Sequence, residues 1–384
     1  MIIAVPKETL AGENRVALIP ARIPELAKMG FEVYIESGAG DKAGYPNNTF
    51  SEKGAKIINT REEVFSKGDI ILQVMGPGAN PNANKDYKLM KEGQILIAFL
   101  EPLTAKESVM ELANKKITSF SVELVPRITR AQSMDALSSM ANIAGYKSVL
   151  IAADTLPKVL PMMTTAGGTI TAAKILIVGV GVAGLQAIAT AKRLGSIVSA
   201  YDIRPAVKEQ VQSLGAKFVE LNIEAKDSED KGGYAKEMGE DFYKKQQELM
   251  SQVIAESDIV ITNAAIPGKK APILVTESMV KGMKPGSVIV DIAAERGGNC
   301  ELTKAGETIV KHNVTILGPV NLASTVPYHT SQMYSKNLTN FLQNMVKKGN
   351  VEINLEDEII RETLVTRNGE IVNSRVKEAL GILI

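Results

Sequence analysis

The sequence has very few of the residues that support disulfide or metal chemistry. Its 384 residues include one cysteine, Cys300, two histidines, His312 and His329, and no tryptophan. A single cysteine cannot form an intramolecular disulfide, and two histidines add too little for an ordinary zinc site. We therefore expect no metal centre and a reducing, cytoplasmic setting.

The sequence also lacks an excess of charge and a long apolar run. Its 44 basic and 43 acidic residues give a formal net charge of +1, which offers no electrostatic case for nucleic acid or an anionic membrane. The uncharged stretch from Ile175 to Ala191 is shorter than the roughly 20 residues that cross a bilayer, and it contains three glycines. The apolar start is too short for a signal peptide, and the tail begins no span. We expect no nucleic-acid partner and no direct membrane span.

A glycine-rich motif follows an apolar run near the middle of the chain. Residues 174–178 are typical of a buried parallel strand, and Gly179, Gly181 and Gly184 have the G-x-G-x-x-G spacing. The first glycine allows a tight turn, the second lets the backbone approach a pyrophosphate, and the third lets a helix over about 182–194 pack closely. The free N–H groups at the start of that helix suit phosphates. The motif predicts a dinucleotide-binding turn, in which Val180, Val182 and Ala183 also contact the cofactor.

An acidic residue follows the next strand. The run 197–202 ends in Asp202, at the distance from the glycine turn where a carboxylate meets the adenosine ribose. Asp202 would accept hydrogen bonds from both ribose hydroxyls and repel a 2′-phosphate, which favours NAD over NADP. Arg204 leaves the alternative open, because an arginine just past this strand can pair with a 2′-phosphate.

Strands alternate with helices along the whole chain, which is typical of an α/β protein with doubly wound parallel sheets. We predict two Rossmann-like domains separated by a cleft. Residues 1–126 and 327–384 form the first, discontinuous domain, and residues 127–326 form the NAD-binding domain. A helical stretch over 131–156, broken near Gly145, leads into the second domain, and a helix over 331–346 returns to the first. Asn368 and Gly369 predict a terminal hairpin.

Two polar segments have alternative interpretations. The segment 125–135 is either a capped helix start or, through Arg127, Gln132 and Asp135, a site for the nicotinamide carboxamide and ribose. The charged segment 222–240 is either a solvated connection or a mobile loop whose Tyr234 closes over a bound nucleotide.

His312 and His329 are candidate acid–base groups, although a structural role is more usual. Cys300 has no basic neighbour in the sequence and is expected to be inert.

The chain resembles the NAD(H)-binding component, domain I, of proton-translocating nicotinamide nucleotide transhydrogenases along essentially its whole length. The resemblance rests on the glycine motif and on three further segments: Pro6-Lys7-Glu8 with Glu13-Asn14-Arg15-Val16-Ala17, the segment 127–135, and Gly232-Gly233-Tyr234-Ala235-Lys236-Glu237-Met238. It implies hydride transfer from NADH to NADP bound on a partner subunit, coupled to proton movement in separate membrane subunits; the cofactors implied are NAD(H) on this chain and NADP(H) on the partner. It also implies a homodimer that is peripheral to the inner membrane through these partners.

The resemblance assigns roles to individual residues. Arg127, Gln132 and Asp135 are the implied catalytic residues, and with Ser138 they contact the nicotinamide side; Gln132 also faces the partner domain. Asp202 is the implied ribose ligand, and Tyr234 is the tip of the mobile loop. The remaining implied contacts with NAD(H) are Ile203, Arg204, Ala264 and Ala265.

Alanine dehydrogenases share this fold and supply the rival interpretation. Oxidation of an amine requires a proton to leave with the hydride, so these enzymes need acid–base groups. Their pattern places a lysine near Val74 and a histidine near Leu100, where this sequence has Met75 and Glu101, although Arg15 is retained. Hydride exchange between two nicotinamide rings needs positioning alone. A nucleotide-sensing module without catalysis is a third interpretation.

Overall fold

A computed structural model of the protein describes residues 1–220, 240–266, 268–347 and 350–382. Tyr234 and nearly all of the predicted mobile loop lie outside these residues. The strands are β1 Ile2–Val5, β2 Glu32–Glu36, β3 Lys56–Ile58, β4 Ile70–Met75, β5 Ile95–Phe99, β6 Thr118–Ser121, β7 Met163–Thr165, β8 Gly168–Ile170, β9 Lys174–Val178, β10 Ile197–Tyr201, β11 Lys217–Phe218, β12 Ile259–Thr262, β13 Val288–Asp291, β14 Thr308–Lys311, β15 Val314–Leu317, β16 Val346–Lys347, β17 Asn350–Val351, β18 Leu364–Arg367 and β19 Glu370–Ile371.

The helices alternate with these strands, as predicted. They are α1 Ile23–Lys28, α2 Asn47–Ser51, α3 Arg61–Lys67, α4 Asn84–Leu89, α5 Lys106–Asn114, α6 Ala136–Thr155, α7 Val182–Arg193, α8 Lys208–Ser213, α9 Glu240–Glu256, α10 Glu277–Gly282, α11 Pro327–Met345, α12 Glu358–Thr363 and α13 Ser374–Ala379. Among the described residues, no helix combines the length and the apolar character needed to span a membrane.

The described chain divides into two compact units. The first comprises Met1–Met140 and Ala323–Ile384, and the second comprises Ala141–Leu322. The first unit contains an eight-stranded sheet in the order β19-β18-β6-β5-β4-β1-β2-β3. Its strands pair in parallel except at β18, which is antiparallel to both β6 and β19. The carboxyl ends of β1, β4, β5 and β6 therefore share one edge of this sheet.

The second unit contains a seven-stranded sheet in the order β11-β10-β9-β12-β13-β15-β14, parallel except for the β14–β15 pair. Alternate residues of its central strand β9 face opposite cores. Ile175 and Ile177 belong to one apolar cluster, whereas Leu176 and Val178 belong to another. Burial on both faces explains why this strand is continuously apolar. The predicted fold class, α/β with two doubly wound sheets, is confirmed.

The return helix and the terminal hairpin are also confirmed. Helix α11 packs Tyr334, Leu338 and Phe341 into the core of the first unit. In the turn between β18 and β19, Asn368 and Gly369 both have positive φ, +53° and +89°. Two consecutive left-handed residues are what a type I′ hairpin requires.

The predicted break at Gly145 is wrong. Helix α6 runs without interruption from Ala136 to Thr155. A Cβ atom at Gly145 would lie 2.1 Å from the carbonyl oxygen of Ala183. The glycine is therefore required by close backbone packing against the start of α7, and it leaves the helical hydrogen bonding of α6 intact.

Candidate dinucleotide-binding site

The three motif glycines each have a distinct local geometry. Gly179 has φ +94°, which confirms the tight turn after β9. A Cβ atom at Gly184 would lie 2.1 Å from the carbonyl oxygen of Gly179, so only glycine allows α7 to pack this closely on the turn. Gly181 is exposed, and a Cβ atom there would meet no protein atom within 4 Å. The space beside Gly181 is where the sequence predicts a pyrophosphate.

The start of helix α7 fits an anionic ligand. Its first α-helical hydrogen bond runs from the Leu185 N–H to the Gly181 carbonyl. The N–H groups of residues 182–184 precede that bond and have no acceptor within the helix. Gly181 is the N-cap residue and has no side chain to cap them. These donors and the positive end of the helix dipole are suited to phosphate oxygens.

Asp202 lies beside this turn, directly after β10. Its Oδ2 accepts the Val180 N–H at 2.7 Å, and its Oδ1 accepts the Arg204 backbone N–H at 2.9 Å. The side chain of Val180 points into the core, so its contribution to the site comes through its backbone. The two backbone hydrogen bonds fix the orientation of the Asp202 carboxylate.

Arg204 forms an ion pair with the same carboxylate. Its Nε donates to Oδ1 of Asp202 at 2.9 Å, and its Nη2 donates to Oδ2 at 3.0 Å. The Nη2 atom also donates to the Val180 carbonyl at 3.2 Å. The guanidinium thus binds Asp202 through two parallel hydrogen bonds, the geometry that makes arginine–carboxylate pairs strong.

Two asparagines support the turn from the neighbouring strands. Asn263, just after β12, donates through Nδ2 to the Gly179 carbonyl at 2.8 Å. Asn299, which is fully buried, accepts the Ala264 N–H at 2.9 Å and donates to the Ala264 carbonyl at 2.8 Å. The predicted contact residue Ala264 is therefore held on both sides of its peptide backbone, and Ala265 next to it is exposed.

Ile203, the predicted contact between Asp202 and Arg204, is partly buried against the core of the second unit, whereas the predicted nicotinamide-side contacts belong to the first unit. Asp135 accepts the Ser138 N–H at 2.8 Å and the Ser138 hydroxyl at 2.5 Å, and it thereby caps the start of α6. Arg127 and Gln132 are both exposed. The capped helix start, which was one of the two interpretations of this segment, is present. It does not exclude ligand contacts by the same residues.

Arg130 anchors the segment that carries Gln132. Its guanidinium donates to both carboxylate oxygens of Asp357, at 2.8 and 3.0 Å, and to Asn344. The hydrogen bonds from Arg130 lower the pKa of Asp357 to about 2. Asp357 also caps α12. Arg130 therefore serves the placement of this segment, a role that the sequence pattern did not reveal.

Two glutamates lie at the carboxyl edge of the first sheet, each bound to the backbone at the end of a strand. Glu8 accepts the N–H groups of Val74 and Met75, at 2.6 and 3.2 Å. Glu123 accepts those of Leu100 and Glu101, at 2.9 and 2.6 Å. Burial raises the pKa of Glu8 to about 8 and that of Glu123 to about 7. At neutral pH Glu8 is mostly protonated.

The neighbouring Arg15 is held in a buried ion pair. Its Nε and Nη2 atoms donate to the two carboxylate oxygens of Glu13, at 2.8 and 2.6 Å. A third guanidinium nitrogen lies 3.0 Å from the sulfur of Met140. The Nε–Nη2 edge of Arg15, one of the two edges through which a guanidinium binds a carboxylate bidentately, is therefore engaged by Glu13.

Two family models match the chain. The N-terminal domain of the family described as alanine dehydrogenase/PNT matches residues 4–144, and its C-terminal domain matches residues 148–374. The chain belongs to the alanine dehydrogenase/PNT family. It is 48% identical over 376 residues to the first part of the NAD(P) transhydrogenase alpha subunit of Rhodospirillum rubrum, a match that covers 97% of this chain and 98% of that protein.

Solved structures of this family have the same fold. A transhydrogenase from Sinorhizobium meliloti matches with a TM-score of 0.86 and 43% identity, covering 97% of this chain and 100% of that one. An L-alanine dehydrogenase matches with a TM-score of 0.82 and 26% identity, covering 99% of each chain. The resemblance to transhydrogenases that the sequence motifs indicated is confirmed.

The remaining candidate residues, the two histidines and the cysteine, each have a local environment that favours a structural role. His312 lies in the turn between β14 and β15, with its Nε2 atom 2.8 Å from a carboxylate oxygen of Glu277. His329 lies on α11 beside the ring of Tyr328. Cys300 is buried, and burial raises the pKa of its thiol to about 11. The thiol is therefore protonated at neutral pH, which supports the expectation that it is inert.

The two supporting asparagines were not predicted from the sequence. Asn263 directly follows a buried strand, at the edge where ligands of parallel sheets bind, and that position was a usable signal. Asn299 follows Gly297 and Gly298, both of which have positive φ, +95° and +82°. A glycine pair before a polar residue indicates a tight turn of the backbone. It does not indicate which carbonyl group the side-chain amide of Asn299 binds.

Proposed function

We propose that the chain is the NAD(H)-binding component of a proton-translocating transhydrogenase, and that it presents NADH to NADP bound on a partner subunit. When bound, NADH supplies a hydride from its nicotinamide ring. The observation that carries the proposal is a supported dinucleotide turn in a chain without the lysine and histidine of an amino-acid dehydrogenase.

The second unit supplies the adenosine and pyrophosphate contacts. The N–H groups at the start of α7 bind the pyrophosphate beside Gly181, where the backbone is exposed. Asp202 accepts the ribose hydroxyls, and its charge disfavours a 2′-phosphate. Ile203, Arg204, Ala264 and Ala265 complete the contacts of this unit with NAD(H). The preorganised carboxylate and the open space at Gly181 support this assignment.

The first unit supplies the nicotinamide contacts. Arg127, Gln132, Asp135 and Ser138 hold the carboxamide and ribose of that end, and Gln132 also faces the partner domain. Asp135 and Ser138 are fixed to each other by two hydrogen bonds, so their positions are set before a ligand binds. The ion pair of Arg130 with Asp357 holds the segment that carries Gln132. Such preorganisation is what a reaction that depends on positioning requires.

The chemistry at the carboxyl edge of the first sheet supports transfer between nucleotides over amine oxidation. Met75 and Glu101 stand where the lysine and histidine of alanine dehydrogenases are expected. The Glu8 and Glu123 carboxyl groups are occupied by backbone N–H donors in the same region. Hydride transfer between two nicotinamide rings moves no proton at the reacting carbons, so this edge needs no acid–base pair.

An alanine-dehydrogenase-like oxidoreductase is the second candidate. It is favoured by the retained Arg15 and by the similar fold of the L-alanine dehydrogenase. The pairing of Arg15 with Glu13 counts against it, because it occupies the Nε–Nη2 edge of the guanidinium and neutralises its charge. The main proposal also includes that the chain forms a homodimer and associates with the inner membrane only through partner subunits.

The proposal is tested by mixing the chain with a transhydrogenase NADP-binding domain, NADH and an oxidised NADP analogue. Rapid reduction of the analogue that requires both proteins supports it. Reduction of NAD by alanine with the chain alone supports the second candidate. Binding of NADH without either activity indicates a sensor. The Asp202→Ser variant should narrow the preference for NADH over NADPH, and an unchanged preference would remove Asp202 from the ribose site.

A further inference from the structure

The carboxylate of Asp202 is already fully hydrogen-bonded. Its Oδ1 accepts the backbone N–H and the Nε of Arg204, and its Oδ2 accepts the Val180 N–H and the Nη2 of Arg204. An ionised carboxylate has about four lone-pair positions in its plane. Four donors fill them, and only 9% of the residue is exposed. No acceptor position on Asp202 remains for a ribose hydroxyl.

The four donors differ in how easily they can leave. The two backbone N–H groups are fixed by the glycine turn and by the end of β10. The two guanidinium donors belong to a side chain with several rotatable bonds, which can withdraw without moving the backbone. Two adjacent ribose hydroxyls, one per carboxylate oxygen, would replace the arginine fork with the same number of bonds.

We infer that Arg204 is an intramolecular competitor of the adenosine ribose for Asp202, and that its guanidinium must leave the carboxylate when NAD(H) binds. This inference rests on the proposed function of the site. In the free chain, the Arg204 guanidinium neutralises a buried carboxylate that would otherwise keep only its two backbone N–H donors. The cost is a lower affinity for the cofactor, because binding must first break a bidentate ion pair.

The exchange also sets how strongly the site rejects a 2′-phosphate. While the guanidinium lies on Asp202, the pair is neutral and repels a phosphate only weakly. Without the guanidinium, the bare carboxylate repels it fully. Loss of Arg204 should therefore tighten binding of NADH but not of NADPH, and so widen the discrimination between them.

The test is a calorimetric titration of NADH and NADPH into the full chain and its variants at one ionic strength. Arg204→Gln should lower the Kd for NADH by about fivefold to tenfold, the scale of one strong ion pair, and leave that for NADPH unchanged or higher. Arg204→Lys keeps the charge but loses the two parallel hydrogen bonds of the guanidinium. Its Kd for NADH should therefore lie between that of the wild type and that of Arg204→Gln. Lys208→Gln removes a charge from nearby α8 and serves as the control, with no expected change.

A second background separates competition from direct contact with the nucleotide. If Arg204 acts through Asp202, then Arg204→Gln should have no effect on NADH affinity in an Asp202→Ser chain. An unchanged or higher Kd for NADH in Arg204→Gln overturns the inference, and so does an equal gain in the Asp202→Ser background. If the unsubstituted chain fails to bind NADH at all, the proposed function fails instead, so the two failures are distinguishable.

Discussion

The side chain of Asn299 forms a two-way hydrogen-bonded pair with the backbone of Ala264. Its Oδ1 accepts the Ala264 N–H at 2.9 Å, and its Nδ2 donates to the Ala264 carbonyl at 2.8 Å and to that of Pro272 at 2.9 Å. The adjacent Asn263 donates to the Gly179 carbonyl. The two amides therefore link the loop after β13 to the glycine turn.

Asn299→Asp should destabilise the chain and weaken NADH binding. The carboxylate keeps an acceptor for the Ala264 N–H but has no donor for the two carbonyls, and it places a charge in a fully buried position. We expect a loss of about 3 kcal/mol in the free energy of unfolding, measured in urea. The Kd for NADH should also rise at temperatures where the variant remains folded, because Ala264 is no longer held.

Asn313→Asp is the matched control, because Asn313 is exposed in the same unit. It should change neither quantity. Wild-type stability and affinity in Asn299→Asp would show that the pair with Ala264 does not support the site.

Two alanine substitutions in the glycine motif should separate folding from binding. Gly184→Ala places Cβ 2.1 Å from the Gly179 carbonyl and should cost roughly 3 kcal/mol or more of stability. Gly181→Ala meets no protein atom, and φ at Gly181 is −81°, so it should lose only the roughly 1 kcal/mol by which glycine exceeds alanine at an N-cap. Its Kd for NADH should nevertheless rise by about tenfold or more, because the methyl group enters the pyrophosphate space.

Thermal melts and NADH titrations of the two variants provide the comparison. A Gly181→Ala chain that binds NADH as tightly as the wild type would contradict the placement of the pyrophosphate at this turn.

The glycine turn was predictable from sequence because its requirements are local. A left-handed residue at Gly179 and a missing side chain at Gly184 each follow from spacing within one strand and one helix. The role of Gly145 was not predictable in this way. Its partner is the Ala183 carbonyl, which lies on another helix and is distant along the chain, so the sequence indicated only a weak point in α6.

Gly145→Ala should therefore destabilise the chain, against helix propensity. In an isolated helix, replacing an interior glycine with alanine stabilises the helix by about 1 kcal/mol. Here the new Cβ would lie 2.1 Å from the Ala183 carbonyl, and we expect a net loss of roughly 2 kcal/mol or more in urea unfolding. Gly282→Ala on α10 is the control, since its nearest neighbour would be Ala255 at 3.9 Å, an ordinary contact. If Gly145→Ala gains stability, the close approach of the two helices is wrong.

Glu123→Gln should change how stability depends on pH. Burial raises the pKa of Glu123 from 4.5 to about 7 in the folded chain. The stabilising contribution of the protonated carboxyl is complete below pH 4.5 and is lost as the pH rises through 7. Between pH 5 and pH 8 the free energy of unfolding of the wild type should fall by on the order of 1–3 kcal/mol. The variant, which is neutral at every pH, should not show this fall.

Urea unfolding of both proteins at several pH values gives this difference. Glu52→Gln, at an exposed position in the same unit, should follow the wild type. Parallel pH profiles for Glu123→Gln and the wild type would show that Glu123 ionises normally in the folded chain.

The candidate site was less predictable than the fold. Asp202 was identified from its distance to the turn, but its pairing with Arg204 depends on which rotamer the arginine adopts, and sequence spacing does not determine that. The roles of Arg130 and Asn299 depend on Asp357 and Ala264, which are far from them along the chain. Burial of Glu8 and Glu123 likewise comes from tertiary packing, so their raised pKa values had no signal in the sequence.

Hydride transfer between the two nucleotides is tested most directly by following deuterium from the nicotinamide ring of labelled NADH. The chain is mixed with an NADP-binding domain of a transhydrogenase and an oxidised NADP analogue, without any amino acid or keto acid. If the chain presents NADH to a partner's NADP, the deuterium should appear on the analogue, without exchange with water, and only when both proteins are present. Absence of transfer, together with alanine-dependent reduction of NAD by the chain alone, would contradict it.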